Sequence, residues 1–387
     1  MSEPTRTLFE TPPETPAGPE TDSAAERRAL VALGLIAGVG AARVRALVTR
    51  FGSARAVFGT PASTLATVDG IGRQTAAAVR AFDGWAEVDA QFARAERVGA
   101  AALAFTDAGF PSLLQQIYDP PALLWVRGRL GDAPAVAVVG TRKATDYGLR
   151  VAEAFARGLA EAGVTVVSGL AYGIDACAHA AALDAGGRTV AVLGSGVDRI
   201  YPQRHAPLVR RILDGDGGAV ISEMPMGSAP DAGNFPRRNR IVSGMCLGTL
   251  VAEARPTGGA LLTAALALEQ NREVFAAPAP VFAEASGTNR LIQAGAAALV
   301  TSARDILDAL APYVPRAATS AAAPSARPLD LTAIEGRLLD VLTPEPQTLD
   351  AVCDASGLDT SSALVYLLQL EFRGLVRQLA GKQFFRV

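Results

Sequence analysis

The chain has little of several things that many functions require. Its three cysteines, Cys177, Cys246 and Cys353, lie too far apart for a disulfide framework or for metal-ligand spacing, which fits a reducing cytoplasm. Only two histidines occur, His179 and His205, so little is available for imidazole acid–base work, and neither a metal nor another cofactor is expected. There is no nucleophile elbow and no Gly-x-x-x-x-Gly-Lys-Ser/Thr loop. No apolar run approaches the ~20 residues of a membrane span. The polar, Pro-rich start MSEPTRTLFETPPETP lacks the basic and apolar regions of a secretory signal. Lysine is nearly missing as well: Lys143 and Lys382 are the only two, so almost every cation is a guanidinium, able to grip phosphate bidentately and to stack on bases.

What is present is a chain of 387 residues, half of them hydrophobic, long enough for two or three domains with a sizeable core. The formal net charge of -2 hides local asymmetry. Residues 1 to 25 carry Glu3, Glu10, Glu14, Glu20 and Asp22 against Arg6. Residues 199 to 213 carry Arg199, Arg204, Arg210 and Arg211 and no acid, and residues 237 to 240 read Arg-Arg-Asn-Arg.

Residues 1–25 read as a disordered tail, rich in Pro, Thr and Glu with little to bury. Residues 26–85 read as a small domain of short helices. Two Gly-x-Gly turns, Gly38-Val39-Gly40 and Gly70-Ile71-Gly72, each open a helical pattern, as in helix-hairpin-helix modules, where glycine lets backbone amides approach a DNA phosphate. The same turns also suit a small bundle that never meets DNA. Residues 86–134 read as a connector that ends in an edge strand and turn, ALLWVRG. From 135 to 311, six apolar runs alternate with amphipathic segments: AVAVVG, VTVVSG, TVAVLG, GAVISE, GTLVAEA and EVFAAP. Near-continuous apolar strands separated by helices predict a parallel sheet covered on both faces, an α/β domain of Rossmann-like kind. Residues 312–331 form an Ala/Pro/Ser linker. Residues 332–387 have the helix-turn-helix spacing and two-stranded wing, around Gly381, of a winged helix. Its second helix, opening at Asp359, is poor in basic residues, which favours a protein contact over base reading.

In an open parallel sheet ligands sit beyond the carboxyl ends of the strands. The loops there hold Gly140, Thr141, Arg142 and Lys143; then Ser168, Gly169, Tyr172 and Gly173; then Gly194, Gly196 and Arg199. A dinucleotide fingerprint would need glycine where Arg199 stands, which argues against a dehydrogenase. Two further loops supply Phe235, Arg237, Arg238, Asn239 and Arg240, and Thr257, Gly258, Gly259 and Thr263, the glycine pair forming a nest of amide donors before a helix. Amides, hydroxyls, guanidiniums and aromatics at one sheet edge suit a sugar-phosphate chain with stacked bases. His179 follows Asp175 by four residues on a helix, a spacing that suits packing or capping better than catalysis.

Read in order, the stretches VAVVGTRKATDYG, SGLAYGIDACAHAAAL, TVAVLGSGVDRIYP, ISEMPMG, NFPRRNRIVSG, EARPTGGALLTAALALEQNREVFAAP and GTNRLIQAGA resemble the DprA/Smf family (DNA processing protein A) over residues 135 to 301. The flanks fit the family's small sterile-alpha-motif-like (SAM) domain and its winged helix. The resemblance implies a non-enzymatic, homodimeric protein that binds single-stranded DNA and helps load the RecA recombinase onto DNA coated by single-strand-binding protein, in natural transformation or repair. It places the family's basic-pocket arginine at Arg142, with Thr141 in place of serine. It places the Arg-Asn-Arg segment at Arg238, Asn239 and Arg240, and the Ser-Gly-rich loop at Thr257, Gly258, Gly259 and Thr263. Two positions depart from the pattern: Tyr172 stands where many members carry lysine, and Ala279 where glycine usually follows proline. Two other readings stay open. One is a nucleotide-hydrolysing enzyme using Glu253 beside the Thr257-Gly258-Gly259 nest. The other is a duplex or junction binder acting through the flanking domains.

Overall fold

The computed structural model describes residues 19–284, 286–311, 313–314, 331–343, 347–373, 375–379 and 382–386. The expected tail before residue 19, nearly all of the 312–331 linker and Gly381 lie outside these residues. The chain divides into two compact units, Met1–Ala317 and Ala318–Val387.

The larger unit opens with helices α1 (Pro19–Leu35), α2 (Ala41–Phe51), α3 (Ala54–Gly59), α4 (Ala62–Leu65), α5 (Arg73–Arg80) and α6 (Trp85–Arg97). The stretch expected to be featureless up to residue 25 is therefore helical from Pro19. Proline suits a first helical position, where its missing N–H has no partner to lose. Leu30, Leu33, Leu47, Val57, Leu65 and Val79 close a small core between these helices. The Glu26 carboxylate accepts from the backbone amides of Ala54 and Arg55, holding α1 to the start of α3.

The residues read as a connector are part of the main sheet. They form β1 (Ala100–Ala104), the one-turn α7 (Ser112–Gln115) and β2 (Leu123–Gly128). The run ALLWVRG is thus not the edge: β1 pairs antiparallel outside it, and on its other side it pairs antiparallel with β6 (Gly218–Ser222). Next come β3 (Ala135–Gly140), α8 (Asp146–Glu161), β4 (Thr165–Ser168), α9 (Ile174–Asp184), β5 (Thr189–Val192) and α10 (Ala206–Leu213). After β6 follow α11 (Asn234–Gly244), β7 (Gly248–Glu253), α12 (Gly259–Glu269), β8 (Glu273–Ala276), α13 (Gly287–Gln293), β9 (Ala298–Leu299) and α14 (Ala303–Ala309).

The sheet order is β1-β2-β6-β5-β4-β3-β7-β8-β9, parallel from β6 to β9. The parallel part begins at β3 and winds outward through β4, β5 and β6, and the chain then crosses back to β7 on the other side of β3. That reversal is a topological switch point, the place where an open α/β sheet leaves a crevice. The strands read as continuous apolar runs because both faces are covered. Val136 and Val138 face α8 and α9, meeting Ala152, Phe155, Leu159 and Ala178. Ala137 and Val139 face α11 and α12, meeting Ile241, Val242, Ala260 and Ala264. Leu159 is fully buried in the first of these layers. Leu159→Ala is expected to lower the unfolding free energy by roughly 2–5 kcal/mol, read as a lower urea midpoint at unchanged slope.

The second unit is a winged helix: α15 (Ala333–Val341), β10 (Gln347–Thr348), α16 (Leu349–Ser356), α17 (Thr360–Phe372), β11 (Val376–Leu379) and β12 (Gln383–Arg386). Its three strands pair antiparallel in the order β10-β12-β11. Asp359 caps α17 by accepting from the amides of Ser361 and Ser362, as its place before a hydroxyl run suggests. On the outer face of α17, Val365 and Leu368 are exposed where a base-reading helix would present cations.

Candidate nucleic-acid interface

A cleft of about 380 Å³ opens at the switch point. Its floor is the end of β3 with Gly140, Thr141 and Arg142, and the loop after β7 with Arg255, Thr257, Gly258 and Gly259. Its walls are Gly169 after β4, Asp175 at the start of α9, the first turns of α11 with Phe235, Arg238 and Asn239, and Thr263 on α12. Four sequence-distant loops meet here because parallel strands all end at the same edge. Gly140 has to be glycine: a Cβ would lie 2.4 Å from Ile174. Gly258 caps α12 without a side-chain partner, and with Gly259 and Ala260 it lines the cleft.

One buried cation organises the wall. Arg238 donates from Nη1 to the carbonyls of Gly169 and Val192 and from Nε to Asn239 Oδ1. Burial pulls its pKa down to about 10, with Asp175 opposing that shift, and it stays charged at neutral pH. A side chain on Gly169 would collide with this guanidinium. Asp175, itself buried, accepts from the amides of Gly169 and Ala171. Burial pushes its pKa up, while the Arg238 charge and those amides pull the other way. Together they fix the backbone of Leu170, a buried non-glycine residue at φ 57, whose carbonyl accepts from His205 Nδ1.

Above the wall stands a row of rings and guanidiniums. Arg142 lies over the Phe235 ring at 4.9 Å, and among the described residues no carboxylate bridges it. Tyr201 sits 6.2 Å from Phe235, centroid to centroid. Arg204 lies 4.0 Å over Tyr172, whose ring meets His205 edge-on. Arginine on an aromatic face is an exposed flat surface that a nucleobase can extend.

Several residues expected at the site lie elsewhere. Lys143 is exposed beside the cleft. Ser168 is buried, donating to Val138 O. Gly173, at φ 75, packs on the Thr141 carbonyl. Gly194 backs Phe235, and Gly196 shapes the turn that reaches Gly227. Arg199 and Arg237 point to other grooves. Arg240 is bound to Glu223 at 2.5 Å and to Asp119 at 3.3 Å, so its charge is spent inside the protein. Sequence reasoning missed Tyr201, Arg204 and Arg255. The signal for Arg204 was its place in an acid-free arginine run, and its partner is the tyrosine that replaces the family's lysine. The other departure is also accommodated: Ala279 exchanges two hydrogen bonds with the Asn289 amide and needs no positive φ.

Two carboxylates near the cleft, Glu253 and Asp175, accept hydrogen bonds from within the protein. Glu253 accepts from Thr145 N at 2.9 Å and from Thr145 Oγ1 at 2.7 Å, and Gly148 packs against it. Glu253 is thereby tied to Thr145, the N-cap residue of α8. Asp175 and His179 do not pair. Thr189 Oγ1 donates to Val166 O, so it accepts from His179 Nδ1–H at 2.6 Å, leaving Nε2 without a partner among the described residues. Burial, then the charges of Arg238 and His205, lower the His179 pKa to about 3.

The consequence has a definite sign. An unfolded histidine takes up a proton near pH 6.5 and the native one near 3, so this group's stability contribution falls as pH drops through that window. Asp175, raised, acts in the opposite direction. His179→Gln is therefore expected to lose about 2 kcal/mol less than the wild type between pH 7 and 5, measured by urea unfolding at both values.

The two Gly-x-Gly turns of the helical part also come together. Gly38 and Gly70 both have positive φ, and the Arg43 side chain lies beside both, donating to the Gly38 carbonyl. Among the described residues there is no cluster of ligating side chains for a metal, and no helix long and apolar enough to cross a membrane.

These features define a Rossmann-like α/β protein with a basic cleft at its switch point, followed by a winged helix. The sequence profile of the family described as DNA recombination-mediator protein A matches residues 101–311, and that of the DprA winged helix domain matches residues 320–382. The Smf protein of Synechocystis is 38% identical over 315 residues, 72% of this chain and 78% of its own. The Smf protein of Escherichia coli is 41% identical over 281 residues, 70% of this chain and 74% of its own. The crystal structure of DNA processing protein A from Streptococcus pneumoniae superposes with a TM-score of 0.63 at 33% identity, covering 73% of this chain and 97% of that one. The solved structure of DNA processing protein A from Helicobacter pylori, described for its single-stranded-DNA-binding mode, gives 0.50 at 28% identity, covering 55% of this chain and 96% of that one. The chain belongs to the DprA/Smf family of DNA recombination mediators.

Proposed function

We propose that this protein binds single-stranded DNA in the switch-point cleft and, as a homodimer, helps load RecA onto strands coated by single-strand-binding protein. The observation that carries the reading is the exposed Arg142 guanidinium on the Phe235 ring, beside the α12 amide nest. Such a surface offers a phosphate a charge and amide donors, and offers a base a flat partner. The family and the H. pylori relative's single-stranded DNA binding support it. In this reading the cleft holds its ligand and performs no chemistry, since Glu253 and Asp175 are both engaged by backbone amides.

The test is a RecA-dependent strand-exchange or ATPase assay on single-stranded DNA pre-coated with single-strand-binding protein. Wild type is expected to relieve the block to RecA, and Arg142→Ala to fail at equal protein concentration. Relief of the block by both proteins alike would sink the cleft's part in loading. The same purified protein incubated with a nucleotide panel is expected to release no phosphate or base.

A further inference from the structure

Arg199 was expected in the main cleft but lines a separate open groove of about 330 Å³. The groove lies between the last turn of α6, with Arg94 and Arg97, and the loop after β5, with Asp198 and Arg199; Gly227 closes one side. Its charges do not cancel. Arg94 is taken by Glu87 at 2.7 Å. Asp198 accepts from Gly227 N at 2.8 Å and faces the half-buried Arg127 behind it. Arg97 and Arg199 are exposed and have no carboxylate partner among the described residues. The α6 dipole favours a cation in its last turn and so accounts for Arg97. It does not account for Arg199, which comes from another element to the same groove. Two exposed guanidiniums lining one groove offer a phosphate two donors from separate elements.

One loop, residues 194–201, runs from the groove to the Phe235 wall of the cleft. At one end of that loop, Gly194 packs against Phe235, where a Cβ would lie 3.3 Å away. At the other end, the Tyr201 ring is 6.2 Å from the Phe235 ring. Arg199 stands two residues before Tyr201, so their Cα atoms are at most about 7 Å apart. We propose that the Arg97–Arg199 groove is a second phosphate subsite, which holds the backbone of the same single strand as it leaves the Phe235–Tyr201 pair. This rests on the reading of the cleft as the primary single-stranded DNA site. It gives the helical part before the sheet a share in DNA binding through α6, independent of the Gly-x-Gly turns.

The experiment is fluorescence anisotropy with oligothymidylates of increasing length, in a salt series, for wild type, Arg97→Ala/Arg199→Ala and Arg142→Ala. Both groove residues are exposed, so the double variant should melt with the wild type. The loss in the double variant is expected to grow with oligonucleotide length. On the longest strand its log–log salt slope should fall by roughly 1.4, at about 0.7 per phosphate contact. Arg142→Ala should lose affinity at every length. A double variant with wild-type length dependence and slope overturns the subsite while leaving the cleft intact. No effect of Arg142→Ala at any length overturns the cleft reading itself. Loss in the double variant alone would mean a groove that binds independently, contradicting the continuity proposed here.

Discussion

Arg238→Ala is expected to be the most damaging single substitution at the cleft. The guanidinium is buried, donates to the carbonyls of Gly169, just after β4, and Val192, at the end of β5, and offsets the buried Asp175 charge. Removing one member of such a cluster leaves an uncompensated charge and orphaned carbonyls, at a cost of about 3–5 kcal/mol. The native fold should melt markedly lower, and single-stranded DNA binding should be lost with it. Arg238→Lys tests whether charge alone is enough. A lysine lacks the fork that reaches Gly169, Val192 and Asn239 together, so only a minor part of the stability should return. Gly169→Ala approaches the same point from the other side, because its Cβ occupies the guanidinium's place. Its melting temperature should fall as well. Wild-type melting in both Arg238→Ala and Gly169→Ala would show that the cluster does not hold the wall.

Arg142→Ala separates binding from folding. Arg142 is exposed, no described carboxylate bridges it, and its guanidinium lies on the Phe235 face. Stability should stay within experimental error. Single-stranded DNA affinity should fall by about 10–100-fold, the equivalent of one charge-assisted hydrogen bond of roughly 1.5–3 kcal/mol. The log–log salt slope should shrink by about 0.7. Phe235→Ala should lose a similar amount through stacking, about 1–3 kcal/mol per base, with the slope unchanged. Equal slope changes in the two variants would show that Phe235 supports the charge and does not stack on a base.

The sheet was legible in the sequence to different degrees, for physical reasons. Runs such as AVAVVG and GTLVAEA announce themselves because a strand covered on both faces is apolar at every position. β1, Ala-Ala-Ala-Leu-Ala, gives no such signal, since alanine favours no strand, and its absence from the reading made β2 look like the edge. The helix from Pro19 was hidden behind acidic, Pro-rich composition. At the site, the loops could be chosen from sequence because strand ends in a parallel sheet share an edge. What each arginine does there could not. Arg238 and Arg240 lie two residues apart on α11 and Arg142 follows β3, yet one is buried as a wall, one is paired with Glu223 and Asp119, and one stands free on Phe235. Those fates are set by partners distant in sequence. The cation over Tyr172 is a case in point, since Arg204 comes from a different loop.

The most direct test of the switch-point cleft as a single-stranded DNA site is anisotropy of one labelled oligonucleotide, single-stranded and as a duplex, with wild type and Arg142→Ala across a salt series. A clear single-strand preference, a steep salt slope and loss of affinity in the variant are expected. Duplex binding as tight as single-strand binding, and indifferent to Arg142, would contradict it and move the DNA site to the helical or winged-helix parts of the chain.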